Sequence, residues 1–375
     1  MILGSLGSEG RARLDPRGAV SVMGEFWTLD WWIGADDRWR IPAREPAVRQ
    51  SVIDAAPVAE TRVRIPSGDA IQRAYGIGGP GGVVVLEVEN ASPAACIVGF
   101  VLRGASAIAL DGNAVLLDGS VALLLPFAPP RWDVTDLDLE PEQCGAETGV
   151  MGAQTFPDGR LRATLLFPLS HRNRMRIGVV CGDEIPRVDL AQVPTAEAAA
   201  RGWRQHLDRG MRVRGPAEWA DALDLARSQI LLDPDPSPAA AAALEDWGFD
   251  DRAEWAWQGL TLRGRRAARR REFAMADDGP AGELLRARDG LVRERDGRLE
   301  LLCDPSAPGV NLEVLDAPTR LGLVSFALRW HGEYPALLWE VADPVPGLEL
   351  RAPVLAPGWS TSEPVGETLL RPTSV

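Results

Sequence analysis

The chain lacks lysine altogether, and it has little cysteine, histidine and tyrosine. All 40 basic residues are therefore arginine, which coding bias in a GC-rich genome explains better than arginine-specific chemistry at so many scattered positions. The four cysteines, Cys96, Cys144, Cys181 and Cys303, include no close pair of the kind that zinc sites and disulfide frameworks use. We expect four reduced thiols, no metal and no cofactor.

Long hydrophobic runs are also absent. The longest, near residues 82–86 and 121–127, have the length of strands, and only three apolar residues precede Gly4. Neither a signal peptide nor a membrane span fits this pattern, so we expect a cytoplasmic protein. No G-x-S-x-G motif occurs, which excludes the nucleophile elbow of serine hydrolases. The glycines of residues 76–82 precede a strand pattern rather than a helix, which excludes a phosphate-binding loop and indicates a flexible loop.

Negative charge predominates, because 53 acidic residues outnumber the 40 basic ones and the net charge is -13. Such a molecule repels a phosphate backbone and an anionic membrane, so neither nucleic acid nor membrane is an expected partner. One basic segment stands out: Arg263 to Arg271 contains six arginines. It could bind an anion or an acidic protein partner, or it could be a solvated face at the carboxyl end of a helix, where it complements the helix dipole.

The fold class follows from composition and periodicity. With 375 residues, 46% apolar and 25% charged, the chain has the usage of a globular protein of two or three domains. Short strand patterns at roughly ten-residue spacing predict a β-sandwich over residues 1–194. Residues 82–89 and 96–103 are expected to pair across a turn at 90–93. Runs at 107–110, 114–117 and 121–125, divided by Asp-Gly turns, predict a meander.

The periodicity changes after Pro194. Four segments, 195–207, 216–230, 238–247 and 250–271, predict helical hairpins within residues 195–275. A polar linker at 277–282 and renewed strand patterns from residue 290 predict a carboxyl-terminal antiparallel β domain over 276–375. We therefore predict a mainly β protein with a helical insert, of the α+β class.

Tryptophans provide the main functional signal. A flat indole can cover the apolar face of a pyranose while charged side chains bond its hydroxyls. One short segment supplies both kinds of group and predicts a substrate-binding site formed by Trp31, Trp32, Asp36, Asp37, Arg38 and Trp39. The alternative is that two or three tryptophans of this segment, Trp27 included, fill the sandwich core, since adjacent strand residues face opposite sides.

Two further pairs are candidates for substrate binding: Asp246 with Trp247, and Trp330 with His331. Glu245 and Asp246 cannot flank one glycosidic bond, because adjacent helical residues do not face each other. His331 could bond a sugar or act as a base, or it could be an ordinary turn histidine. No residue is assigned a catalytic role.

Residues 27–39 (WTLDWWIGADDRW) and 244–250 (LEDWGFD), with a sandwich followed by Ala- and Trp-rich hairpins, resemble six-hairpin glycosidases of the glucoamylase and glycogen-debranching type. The resemblance implies α-glucan binding and a toroid of about a dozen helices that holds two catalytic carboxylates, but residues 195–275 have room for about four helices. We therefore expect recognition of an α-glucan or oligosaccharide without hydrolysis by this chain alone. The alternatives are a glycoside hydrolase completed by another subunit and a structural or interaction module with no sugar site.

Overall fold

The structure is a computed structural model that describes residues 1–79, 81–136, 154–155, 161–184, 186–269, 279–304, 308–332 and 334–370. These residues form 26 strands, six α-helices and one short 3-10 helix. Strands thus outnumber helices and nearly all pairs of strands are antiparallel, so the predicted β-rich α+β class is confirmed. The chain divides into two compact units, Met1–Gly202 and Trp203–Val375.

The first unit consists of two antiparallel sheets. Its strands are β1 (Ile2–Leu3), β2 (Ala12–Leu14), β3 (Val20–Val22), β4 (Thr28–Gly34), β5 (Trp39–Arg40), β6 (Arg49–Val52), β7 (Val58–Ile65), β8 (Gly68–Ile77), β9 (Val83–Asn90), β10 (Cys96–Ala105), β11 (Ala107–Asp111), β12 (Ala114–Leu117), β13 (Ser120–Leu124), β14 (Arg131–Asp136), β15 (Gln154–Thr155), β16 (Leu161–Leu169) and β17 (Arg174–Val180). Sheet A has the order β1-β2-β3-β4-β10-β16-β14, with β5 beside β4. Sheet B has the order β15-β11-β12-β13-β17-β9-β8-β7-β6.

The two sheets form a sandwich because their strands alternate apolar and polar side chains. On β4, for example, Leu29, Trp31 and Ile33 belong to the core between the sheets, and they stand opposite Leu102, Phe100 and Val98 of β10. Successive strand residues point to opposite faces, so this alternation buries one face of each sheet. The predicted sandwich is observed, and β11, β12 and β13 form the predicted meander.

One predicted pairing in this unit is wrong. The strands β9 and β10 do not pair, because β9 lies in sheet B between β8 and β17 whereas β10 lies in sheet A between β4 and β16. The segment 90–93 carries the chain from one sheet to the other, and the Asn90 amide holds it by donating to the Ala94 and Leu169 carbonyls at 2.8 and 3.2 Å.

The glycine-rich segment 76–82, which was predicted to be a flexible loop, begins inside a strand and packs against other backbone segments. Gly76 lies within β8, and the backbone of Gly4 occupies the space that a side chain there would need. Gly81 and Gly82 have positive φ angles of 78° and 67° and contact the backbones of Glu184 and Gly10. The glycines are needed for close approach of backbones rather than for flexibility.

A ladder of alternating charges crosses the outer face of sheet B. Glu60, Arg73, Glu87 and Arg176 stand opposite one another on β7, β8, β9 and β17. Arg73 Nε lies 2.9 Å from Glu60 Oε2, and Arg176 Nε donates to Glu87 Oε2 at 2.7 Å. Opposite charges directly across strands stabilise a sheet, and here one of them, Glu87, is 1% exposed.

Six helices follow the sandwich in sequence. They are α1 (Ala196–Leu207), α2 (Ala217–Leu232), α3 (Pro238–Asp246), α4 (Asp250–Gly259), α5 (Leu262–Arg269) and α6 (Pro280–Leu291). The predicted start at Ser237 and Pro238 is confirmed, since Ser237 Oγ accepts from the Ala240 N–H at 3.1 Å. The single helix predicted over 250–271 is interrupted at residues 260–261, so it forms α4 and α5.

The helix α6 was missed by the sequence analysis, which predicted a linker at 277–282 and then strands. Pro280 is the first residue of this helix, where its missing N–H costs nothing. Leu284, Leu285, Arg288 and Leu291 are buried at helical spacing. The helical part of the second unit therefore extends beyond residue 275.

Two sheets complete the second unit. Their strands are β18 (Arg212–Arg214), β19 (Val292–Arg295), β20 (Arg298–Leu301), β21 (Leu312–Thr319), β22 (Gly322–His331), β23 (Tyr334–Ala342), β24 (Leu350–Ala352), β25 (Ala356–Thr361) and β26 (Val365–Leu369). One sheet has the order β18-β21-β22-β23-β26 and the other β19-β20-β24-β25. Since α3 contacts β21 and α6 contacts β19, the helices α2 to α6 and the carboxyl-terminal strands belong to one compact unit.

Within the described part of the chain, no helix is long and apolar enough to cross a membrane. Cys96, Cys181 and Cys303 form no disulfide, and Cys144 lies outside the described ranges.

Candidate functional site

The tryptophans of residues 27–39 have different environments. Trp31 points into the sandwich core, is 1% exposed and donates from Nε1 to the Arg17 carbonyl at 3.0 Å. Trp32 points to the outer face of sheet A, as the alternation of strand residues predicts, yet it too is buried. The interpretation of Trp31 as a sugar-stacking residue is wrong, because its indole has no free face, and Trp27 is likewise a core residue.

Trp39 is the exposed indole of this segment, with 40% of its surface accessible. Three atoms of its six-membered ring, Cζ2, Cη2 and Cζ3, lie 3.0 to 3.1 Å from the position that a Gly34 Cβ would occupy. An edge-on approach would place Cη2 much nearer than its two neighbours, so the ring lies face-on over Gly34. Its opposite face is directed away from the sheet.

Two glycines make this arrangement possible. Gly34 lies on β4 and Gly99 on β10, and a Cβ at Gly99 would stand 3.7 Å from Cζ3 of Trp39. A glycine within a strand often marks the close approach of another group, and here that group is the indole. Ile97, opposite Gly34 on β10 and 39% exposed, extends the apolar surface. We call Trp39, Trp32, Gly34, Gly99 and Ile97 the aromatic shelf.

Trp32 lies beside Trp39 on the same face of the sheet. Its ring contacts that of Trp39 edge to face, with centroids 6.4 Å apart and an interplanar angle of 69°. The Arg103 guanidinium lies 5.9 Å from the Trp32 centroid and forms an ion pair with Asp30. Burial, and secondarily the charge of Arg162, lowers the pKa of Arg103. The Nε1 of Trp32 is buried and donates to no acceptor in the described residues.

The turn between β4 and β5 forms a charged rim. Arg40 binds both carboxylate oxygens of Asp37 at 2.8 and 2.7 Å, and this hydrogen bonding lowers the pKa of Asp37 to about 2. Arg38 likewise pairs with Glu45 and lowers the pKa of that carboxyl. Asp36 is exposed and has no ion-pair partner among the described residues. The rim therefore offers two carboxylates and a guanidinium that are held in place, and one free carboxylate.

The predicted residues of the second unit do not form a comparable surface. Trp247 has no exposed area, donates from Nε1 to the Leu284 carbonyl at 3.1 Å and packs against Arg227. Asp246 is 9% exposed at the end of α3. Their interpretation as ligand contacts is wrong, because both side chains are part of the helical core.

Trp330 and His331 are adjacent on β22 and point to opposite faces of its sheet, so they cannot contact one ligand together. Trp330 is half-buried, and its backbone N–H donates to Asn311 Oδ1 at 2.9 Å. His331 is exposed opposite Tyr334, where the strand ends at a hairpin. This position fits the turn-histidine interpretation.

The basic run begins on α5. Arg265 donates to the carbonyls of Leu260 and Gln258 at 3.1 and 3.2 Å, so it satisfies the carboxyl end of α4. Arg263 and Arg266 are exposed, whereas residues 270 and 271 lie outside the described ranges. Helix capping thus accounts for one arginine of the run, and partner binding by the others stays a prediction.

Sequence reasoning missed Gly34, Gly99, Ile97 and Glu45. The available signal was the presence of glycine inside two strand patterns, which indicates a close approach without saying of what. Comparison of the sequence with protein-family models and with curated proteins finds no match. The interpretation of the site therefore depends on its own geometry.

Proposed function

We propose that this chain binds carbohydrate, an α-glucan or oligosaccharide, on the aromatic shelf. The observation that supports this most directly is Trp39, whose indole lies flat on the sheet with its outer face exposed. The resemblance of residues 27–39 to six-hairpin glycosidases favours glucans among the sugars.

The chemistry of a pyranose matches this surface. Its C–H groups form an apolar face that stacks on an indole, and its hydroxyls need acceptors and donors at the edge. Asp36 and Asp37 could supply acceptors and Arg38 donors, since all three are exposed in the turn that precedes Trp39. Ile97, which is 39% exposed, adds apolar surface that a second sugar ring could contact.

The rim suits binding rather than hydrolysis. A glycosidase needs one carboxyl that stays protonated near neutral pH to donate to the leaving group. Ion pairs with arginine lower the pKa of both Asp37 and Glu45, so these groups remain ionised hydrogen-bond acceptors. We therefore propose recognition without hydrolysis at this shelf.

The test is calorimetric titration of the full chain with maltoheptaose, compared with Trp39→Ala. An indole stack contributes about 0.5–1.5 kcal/mol beyond area burial, so the variant should bind at least about 2- to 12-fold more weakly. Trp255→Ala is the matched control: Trp255 is 42% exposed, but the Arg252 guanidinium covers its ring at 3.6 Å. The control should bind like the unmodified protein.

Two results would contradict the proposal. One is that the unmodified chain binds neither maltoheptaose nor any member of a glycan array. The other is that Trp39→Ala and Trp255→Ala bind equally well. A reducing-sugar assay in the same samples tests the second part of the proposal, since release of glucose or maltose would show hydrolysis. Far-UV circular dichroism checks that both variants are folded.

A further inference from the structure

The second unit contains a separate pocket with a volume of about 490 Å³. It lies against the start of α2, one side of α6 from Glu283 to Leu291, and the strand β21. Small-molecule sites in proteins have volumes of roughly 300–1,000 Å³, so this pocket is large enough for a ligand of several heavy atoms. None of the predicted site residues lines it.

The walls of this pocket are mainly apolar. Leu291, Leu302 and Leu312 form buried parts of the lining, and Trp219 is half-buried beside them. On α2, Leu223, Ala226 and Ile230 are buried in the helical core, whereas the Trp219 indole lines the pocket. A ligand with an aliphatic body would therefore find a matching surface.

Two carboxylates, Glu283 and Asp304, also line the pocket. Asp304 is fixed by backbone pairing, because its N–H donates to the Gly290 carbonyl at 3.2 Å while Leu302 N–H donates to Leu291 at 2.9 Å. A Cβ at Gly290 would stand 3.1 Å from Cγ of Asp304. Because glycine has no Cβ, there is space for the Asp304 carboxylate beside α6.

The charge of the lining favours a cation. Across the described residues, neither Glu283 nor Asp304 has an ion-pair partner, whereas Asp289, also on α6, is paired with Arg293. Arg286 contributes one positive charge to the lining, which leaves a formal charge of minus one from these three side chains. The net charge of -13 attracts cations to the molecule as a whole.

We propose that this pocket binds an organic cation, an aliphatic chain that ends in an ammonium or guanidinium group. The carboxylates would bind the charged end of the ligand, and the leucines would contact its aliphatic chain. Trp219 could contact the cation through its ring face. An anion would meet two carboxylates, and a sugar would leave hydroxyls unpaired against the leucines. The same chemistry is available from a free alkylamine and from a lysine or arginine side chain of a peptide.

The experiment titrates the full chain with hexylammonium, with hexanol as its neutral counterpart, and with a short arginine-containing peptide. Hexylammonium should bind at least about fivefold more tightly than hexanol, because only the ammonium interacts with the carboxylates. Glu283→Gln and Asp304→Asn should each weaken hexylammonium binding and leave hexanol binding unchanged. Asp296→Asn, in the exposed turn between β19 and β20, is the control and should have no effect.

The peptide distinguishes the two sources of the cation: tighter binding of the peptide assigns the pocket to a side chain of a partner, and tighter binding of hexylammonium to a free amine. Equal binding of hexanol and hexylammonium would overturn the proposal, as would carboxylate variants that bind like the control. Maltotriose binding that Trp219→Ala abolishes would also overturn it. Since Trp39 lies in the first unit, failure of this proposal leaves the carbohydrate test unaffected.

Discussion

Replacing Glu87 by glutamine tests the charge ladder of sheet B. The Glu87 carboxylate is 1% exposed, and three guanidiniums surround it. Arg176 lies 2.7 Å away, Arg73 3.2 Å and Arg174 3.4 Å. Glutamine keeps the size of the side chain but removes its negative charge, so it leaves the positive charges of β8 and β17 facing one another across β9.

The expected loss follows from what each arginine retains. Removing one partner of a buried ion pair costs about 3–5 kcal/mol, because the remaining charge stays desolvated without compensation. Arg73 keeps Glu60 and Glu89 at 2.9 and 2.6 Å, and Arg174 is half exposed. Arg174 and Arg176 both lose the one carboxylate that pairs with them among the described residues, but only Arg176, whose side chain is 15% exposed, is buried enough for this loss to be costly. We therefore expect the lower end of that range, about 3 kcal/mol of unfolding free energy.

The measurement is urea unfolding followed by circular dichroism, with hydrogen exchange to locate the effect on β8, β9 and β17. Asp289→Asn is the control, because it also breaks an arginine–carboxylate pair, with Arg293, but one whose side chains are 45% and 35% exposed, where ion pairs contribute little. Equal losses for the two variants would refute the argument that burial makes Glu87 important. So would faster exchange spread evenly over the first unit.

Three further outcomes are expected. Trp31→Ala should lower the unfolding free energy by about 3–5 kcal/mol in urea titrations, and Trp39→Ala clearly less; equal losses would contradict the distinction between core and shelf. Burial and the charge of Arg209 lower the pKa of His206, so stability should fall as pH drops below about 6.5, and His206→Gln should flatten that dependence in unfolding curves at pH 7.5 and 5.5. Burial raises the pKa of Cys96 to about 11 and of Cys181 to about 12, so iodoacetamide at pH 8 should label them slowly in the native protein and rapidly in urea; rapid native labelling, read by mass spectrometry, would contradict this.

Several features of the fold were predictable from local sequence. Alternating apolar residues on β4 and β10 identify strands whatever sheet they join, and the turns at residues 111–113 and 118–120 connect neighbours that must pair at once. The Ser237–Pro238 start of α3 is equally local. The opposite orientation of Trp31 and Trp32 needs only the two-residue period of a strand.

Other features depended on contacts between residues far apart in sequence. Whether β9 pairs with β10 depends on competition from β8, β17, β4 and β16, so the intervening turn could not decide it. The helix α6 has a polar, glycine-containing sequence whose leucines become informative only against α2 and α3.

The candidate site also combines features that local sequence predicts with features that depend on tertiary contacts. The sequence by itself determined that residues 27–39 combine tryptophans with charged residues, and that adjacent tryptophans face apart. Only the tertiary structure decided that Trp39 is the exposed indole. Its position requires Gly34 and Gly99, which belong to different strands, and its ring also contacts that of Trp32 edge to face. Exposure is a property of the assembled sheet, because a side chain is buried by neighbours that the local pattern does not contain.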